Sequence, residues 1–382
     1  MPLSTARRIA VTVAAGVVLG ALAGQAQHDP NADNTKARRY SPVNGKGGQD
    51  LSGPYEVVVG WPQPLPGHEG WQMSRAAGVW AETPDRIWLA TSGELPTNYQ
   101  GSRQWGPTTV PKLVPALGEL TRQIGRYEHI ILIVDRQGRL LDSWEHWNTK
   151  IEGANRILVS PYDKEKHVWI VDQGSNSAYK FTYDGKKVVL EISAASVPGA
   201  DVGAFSAQDM AFLPNGEFYL TGGSRVSRFS ADGKYLSGFD KKGSGPGELN
   251  GTHGIQVDSR GRVYVADRGN SRIQVFDQNL KYLDQWPNIV APYCMRLSKD
   301  GRYMWVSDGY TQTFQKYDLD GRLVKGSTWG TWGPVPGALW GPHWFDVDSE
   351  GSLYVAEDYN ARVQKFTLRP DGAKEQIVDV MR

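Results

Sequence analysis

The sequence predicts an all-β protein folded as a six-bladed β-propeller. Three observations lead there. Residues 246–277 and 336–367 carry the same text at an offset of 90 and are identical at 16 of 32 positions. Weaker copies stand between and before them: Gly216, Gly261, Gly301 and Gly351 close equivalent turns at steps of 45, 40 and 50 residues, a period that marks stacked or radial units. Within a unit, short runs alternate apolar and polar residues, as in Ile255/Val257, Val263/Val265 and Ile273/Val275, and Asp-Gly or Asn-Gly turns separate them. Antiparallel units of this kind hide their sheet edges by closing into a ring.

In chain order, residues 1–26 read as a secretory signal peptide. Arg7 and Arg8 precede an apolar run from Ile9 to Ala23, and the small residues that follow allow cleavage after Ala23 or Ala26. The run is short and rich in Ala and Gly for a membrane span, so the mature chain is expected to have no span and to be secreted or periplasmic. Residues 27–52 are polar and have little to bury, which predicts a disordered leader. The propeller is assigned to 53–382.

Blade one opens with GVWAETPDRIWLATSGE and resumes at EHIILIVDRQGRLLDSWE after an insertion, residues 94–128. The insertion's LVPALGELTRQI stretch predicts a short helix in an ordered cap over one mouth of the channel. Blades two to six start at RILVS, QDMAF, GIQVD, PYCMRL and WFDVD. PYEVVVGW resembles the outer strands YLDQW and LLDSW, so it is expected to pair beside blade six and close the ring, with EQIVDV at 375–380 as competitor. In VADRGNSRIQVFD, Asp267, Asn270 and Arg272, matched by Glu357, Asn360 and Arg362, are expected to tie down the turn between second and third strands.

Lys and Arg number 42 against 41 Asp and Glu, without a long single-sign block. No concentrated basic field exists for phosphates, so nucleic acid is not an expected partner. Cys294 is the only cysteine, cannot form an internal disulfide, and reads as a small buried hydrophobe. The core must then come from aromatic bulk, which 14 Trp, 17 Tyr and 10 Phe supply. The oligomeric state is open.

His253 (GTHGIQVD) and His343 (GPHWFDVD) stand immediately before the innermost strands of blades four and six, and Asn155 (EGANRILVS) holds the same slot in blade two. The three converge on the channel with threefold spacing. Imidazoles so placed can hold zinc or another divalent transition metal, while the amide oxygen suits a harder cation such as calcium. The plain alternative is that they hydrogen-bond channel water. A small molecule or peptide at the channel is the expected ligand. The aromatic-rich stretch 327–344 suits carbohydrate or peptide contact, and equally inter-blade packing.

The units resemble NHL repeats. Over roughly residues 54–370 the whole resembles the peptidyl-α-hydroxyglycine α-amidating lyase family of six-bladed propellers. The long insertion in blade one, the His-opening inner strands of blades four and six, and VADRGNSRIQVF carry the likeness. The resemblance implies a zinc held by three His from alternate blades, with an Arg and a Tyr acting on the substrate hydroxyl. His253 and His343 match two ligands, and Asn155 stands at the third. The segments matching the family's Arg and Tyr, LATSGE and LTGGSR, carry neither, and its disulfides are absent. Arg268 and Tyr310, the latter in a DGY string of blade five, are the candidate catalytic side chains. The expectation is an exported propeller with a lyase-like metal site; the rival is a noncatalytic binding scaffold.

Overall fold

The computed structural model describes residues 50–68, 71–73, 75–96, 129–200 and 205–380. The expected signal peptide, residues 27–49 of the leader, and the cap in 94–128 apart from its first three residues lie outside them. Among the described residues the regular structure is β-strand with a few single-turn 3₁₀ segments. Apart from a two-stranded ribbon of Trp71–Met73 with Glu94–Pro96, the strands form six radial antiparallel sheets, so the expected propeller is the observed one. Blade one consists of Ala76–Thr83, Arg86–Thr91, Ile131–Val134 and Leu140–Ser143. Blades two, three and four run as four consecutive strands each within 154–192, 209–240 and 255–287. Blade five departs from the expected four: it has three strands, and the isolated bridges Tyr317↔Leu323 and Phe314↔Trp329 edge it instead.

Ring closure follows the sequence expectation. Tyr55–Val57 pairs antiparallel with Arg362–Leu368 as the outer strand of blade six. The competing segment 375–380 locks that strand from the side. The Val378 N–H donates to the Tyr55 hydroxyl at 2.8 Å, and the hydroxyl donates to the Val378 carbonyl at 3.3 Å.

Burial follows radius. The second strands are buried over nearly their whole length, and Val168–Asp172, Val263–Asp267 and Leu353–Glu357 at every position, because each blade is sandwiched between two others. Outer strands have only one covered face. In blades one to four the outer strand carries an extra, bulged residue opposite the third strand, namely Leu141, Val189, Leu236 and Leu283, and each is exposed. A bulge bends an edge strand away from pairing with another chain.

The repeated string serves as the anchor expected of it. Asp267 accepts from Asn270 Nδ2 and Arg272 Nε, both at 2.8 Å, and Glu357 accepts from Asn360 and Arg362 at 3.0 and 3.2 Å. Cys294 is fully buried in Pro292–Leu297, and burial pushes its thiol well above the usual range. It is the small hydrophobe that was expected.

Candidate functional site

The site is built by a defect repeated from blade to blade. At the start of the innermost strand the register skips one residue, at Ala77, Asn155, Tyr293 and His343. His253 sits in the same kink, its N–H donating to the Ala266 carbonyl while Ala266 donates to the next carbonyl, that of Gly254. A residue excluded from the ladder is free to aim at the channel axis. The corresponding position in blade three is Gln208, which gives a ring of Ala77, Asn155, Gln208, His253, Tyr293 and His343.

The ring is closed by side-chain donors from alternate blades. His253 Nδ1 meets the Tyr293 carbonyl at 2.9 Å, His343 Nδ1 meets the Ala77 carbonyl at 2.8 Å, and Asn155 Nδ2 donates to the Gln208 carbonyl at 2.9 Å. Each donor thus reaches the main chain of the next ring position. Carbonyl oxygen only accepts, so both imidazoles carry their proton on Nδ1. Burial drives their proton affinity down: His343 is lowered to about 3, with Asp358 opposing and Arg75 reinforcing, and His253 falls well below the ordinary value through burial and then His343, Arg268 and Arg75.

Two neutral rings then present bare Nε2 atoms to one another at 2.9 Å. Two lone pairs at that distance repel unless something positive lies against them. Arg75 provides part of the answer. Its Nη2 donates to Asn155 Oδ1 at 2.8 Å and contacts His343 Nε2 at 3.2 Å, its Nη1 donates to Gln173 Oε1 at 3.0 Å, and its Nε pairs with Asp358. Among the described residues no N–H or O–H donor reaches His253 Nε2. Zinc–nitrogen bonds are about 2.0–2.1 Å, so nitrogens this close can reach one ion, and ligating His characteristically donate their other nitrogen to a backbone carbonyl. Among the described residues no group of three or more His, Cys, Asp or Glu is placed to hold a metal ion, so a cation here would have two imidazole nitrogens and the Asn155 amide as its donors.

Above the ring lies a second tier, the residues directly after the buried carboxylates that end the second strands: Gln173, Arg268, Gly309 and Asp358 after Asp172, Asp267, Asp308 and Glu357. Arg268 lies over the Tyr293 ring at 4.8 Å, and no acidic partner faces it among the described residues. Tyr293 in turn pairs hydroxyl to hydroxyl with Tyr359 at 2.8 Å. The glycine of the DGY string has a steric reason, since a Cβ on Gly309 would fall 1.9 Å from the Tyr293 ring.

The structure therefore brings His253, His343 and Asn155 together at the axis and sets Arg268 one level up. Tyr310 stands further out, 58% exposed at the rim, its ring 6.3 Å from Tyr293. Sequence reasoning missed Arg75 and Tyr293. The signal for both was present: MSRAAGVW and APYCMRL align with the segments preceding the other inner strands, and Arg75 stands two residues before the blade-one slot. Filling that slot with Ala77 leaves the space the guanidinium crosses.

The His pair is expected to make the protein acid-sensitive. As pH falls below about 6.5 the unfolded chain binds protons that the folded imidazoles refuse until much lower pH, so stability falls with acidification. For His343, lowered to about 3, the loss is on the order of 5 kcal/mol across that window. In chelator, urea midpoints are expected to drop more steeply from pH 6.5 to 4 for the wild type than for His343→Gln. Parallel profiles would show that this imidazole is not the cause.

Fold and site together define the class: a six-bladed β-propeller whose channel mouth gathers buried His, Asn, Arg and Tyr side chains. Residues 249–276 match the NHL repeat, so the propeller is of the NHL-bearing kind. The chain is 29% identical over 255 residues to human NHL repeat-containing protein 3, a match covering 62% of this chain and 72% of that protein. It is 28% identical over 166 residues to a probable peptidyl-alpha-hydroxyglycine alpha-amidating lyase of Caenorhabditis elegans, covering 41% of this chain and 45% of that one. With rat peptidylglycine alpha-amidating monooxygenase the identity is 25% over 227 residues, 54% of this chain and only 23% of the rat protein. Among solved structures, a streptogramin B lyase superposes with a TM-score of 0.52 at 14% identity, over 78% of this chain and 95% of that one, a likeness of fold.

Proposed function

We propose that the protein is an exported NHL propeller that binds a divalent transition cation through His253 and His343, with Asn155 at the third position. We assign it lyase chemistry on a peptide ending in α-hydroxyglycine, the substrate named for its nematode relative. The observation that carries the reading is the pair of bare Nε2 atoms facing each other at 2.9 Å, which calls for a cation. Two nitrogen donors favour zinc-like ions over calcium.

A cation held there would polarise the substrate's hydroxyl oxygen. The chain's own groups do the rest. Arg268, a guanidinium without an acidic partner among the described residues, is placed for the terminal carboxylate. Arg75 can hand its Nη2 contacts from Asn155 and His343 to the substrate while Asp358 retains it. Tyr310 at the rim is the candidate proton carrier toward solvent. In the reaction the carbinol C–N bond breaks, the hydroxyl becomes an aldehyde carbonyl, and its proton ends on the departing amide nitrogen, giving peptide amide and glyoxylate. The channel's polar lining against its apolar surroundings also supports a second reading, ligand binding without chemistry. Arg75 against the ring favours it, because a guanidinium can stand where a metal would. Export rests on the basic and apolar start of the sequence, residues 1–26. Among the described residues no helix is long and apolar enough to cross a membrane.

Elemental analysis of protein purified without chelator separates the two readings. About one divalent ion per chain is expected, lost in His253→Ala, together with glyoxylate release from an α-hydroxyglycine peptide. Metal-free protein with no glyoxylate release would sink the lyase reading and leave the binding platform.

A further inference from the structure

Blades five and six build an aromatic rim that the ring chemistry does not use. Tyr293 sits in the ring itself, with its ring centroid 4.8 Å from His253 and 5.2 Å from His343. Its hydroxyl meets Tyr359, whose ring lies on Gly341 so closely that a Cβ there would fall 2.7 Å from it. The neighbour of Gly341 is Trp340, half-buried, and Trp332 stands against Trp340 at 5.8 Å and 67°. Gln312 staples this segment to the DGY turn. It accepts from the Gly341 N–H at 2.6 Å and donates to the Gly309 carbonyl at 2.8 Å, directly before Tyr310. Ring contacts therefore lead from the His pair through Tyr293 to Tyr310, and the Gln312 staple sets the segment that carries Trp340 and Trp332 beside that turn. Tyr310 and Trp332 are 58% and 61% exposed. Tryptophan this exposed contributes little to packing the fold, and large exposed aromatics are a feature of recognition sites.

We propose that Tyr310, Trp332 and Trp340 form a subsite for an aromatic or branched apolar side chain of a peptide whose carboxyl end lies under Arg268. The inference rests on the peptide reading given above and adds the specificity that reading leaves open. Charge and shape both favour this occupant. Arg268 offers a guanidinium to a terminal carboxylate. The rings of Trp332 and Trp340 meet edge to face at 67°, and those of Tyr293 and Tyr310 at 68°, rather than lying as one flat platform of the kind on which sugar rings stack.

Calorimetry with two unreactive peptides, N-acetyl-Phe-Gly and N-acetyl-Ala-Gly, on zinc-supplemented full-length protein tests it. The Phe peptide is expected to bind at least tenfold tighter. In Trp332→Ala that ratio should collapse to within twofold, and Trp332→Phe should restore part of it. A ratio near one in the wild type, a ratio that survives in Trp332→Ala, or no binding of either peptide would overturn the subsite. So would quenching of tryptophan fluorescence by maltotriose but by neither peptide. Chelator treatment keeps the two readings apart: a Trp332-dependent preference in metal-free protein would uphold the subsite while the metal site fails.

Discussion

Replacing Arg156 with Ala is expected to destabilise the protein by about 3–5 kcal/mol at pH 8, among the largest effects available to a single change. Arg156 and Asp209 form an ion pair at 3.3 Å between blades two and three, with side chains 5% and 0% exposed. Arg156 also lies over the Trp344 ring at 4.4 Å and donates to the Ile157 carbonyl at 3.0 Å, so it ties blade six into the same joint. Removing it strands a carboxylate that burial already holds up at about 6 despite its partner.

The sign of the pH dependence follows. With its folded value raised, Asp209 is neutral in the native state at pH 5, and removing Arg156 there costs only hydrogen bonds and packing. Above pH 6 the carboxylate must either stay charged without a partner or take up a proton against the solution, so the loss grows as pH rises. Urea midpoints at pH 5 and pH 8 check this. Arg156→Ala/Asp209→Asn should recover much of the pH 8 loss, since Asn keeps an acceptor for the Ile255 N–H that Asp209 now binds at 2.9 Å. An equal loss at both pH values would show that the buried charge is not the source.

Asn155→His is expected to raise zinc affinity at least tenfold, about 1.4 kcal/mol. The ring makes the exchange local. Asn155 Nδ2 already makes the bond to the next carbonyl that the Nδ1 atoms of His253 and His343 make, so a histidine can keep that bond and turn its Nε2 inward as they do. Its cost is the Asn155 oxygen that now receives Arg75, whose remaining anchors are Asp358 and Gln173. His253→Ala should lower affinity by about a hundredfold or more in either background, about 2.7 kcal/mol. If titration calorimetry finds zinc no tighter on Asn155→His than on the wild type, the ring is not a metal site short of one ligand, and the guanidinium of Arg75 is its permanent cation.

The repeat, its period and its turn residues carried the architecture, because a blade is a local object. Its strands are neighbours in sequence, and alternation such as Val263/Val265 records which face is buried. The same text carried the closure by 55–57, since the outer strand of blade six must come from elsewhere in the chain. It also placed His253, His343 and Asn155 on one ring, because equivalent positions of a radial repeat converge on the axis. What the sequence could not decide is what those side chains meet there. Arg75 is adjacent to His343 only because the first and last blades touch, 268 residues apart, and it enters the ring only because its own blade fills its slot with the small Ala77. The facing Nε2 atoms and the place of Arg268 over the Tyr293 ring, with no acidic partner among the described residues, arise from distances between blades. Such distances are set by packing and burial across the whole closed ring, which no local pattern of residues records.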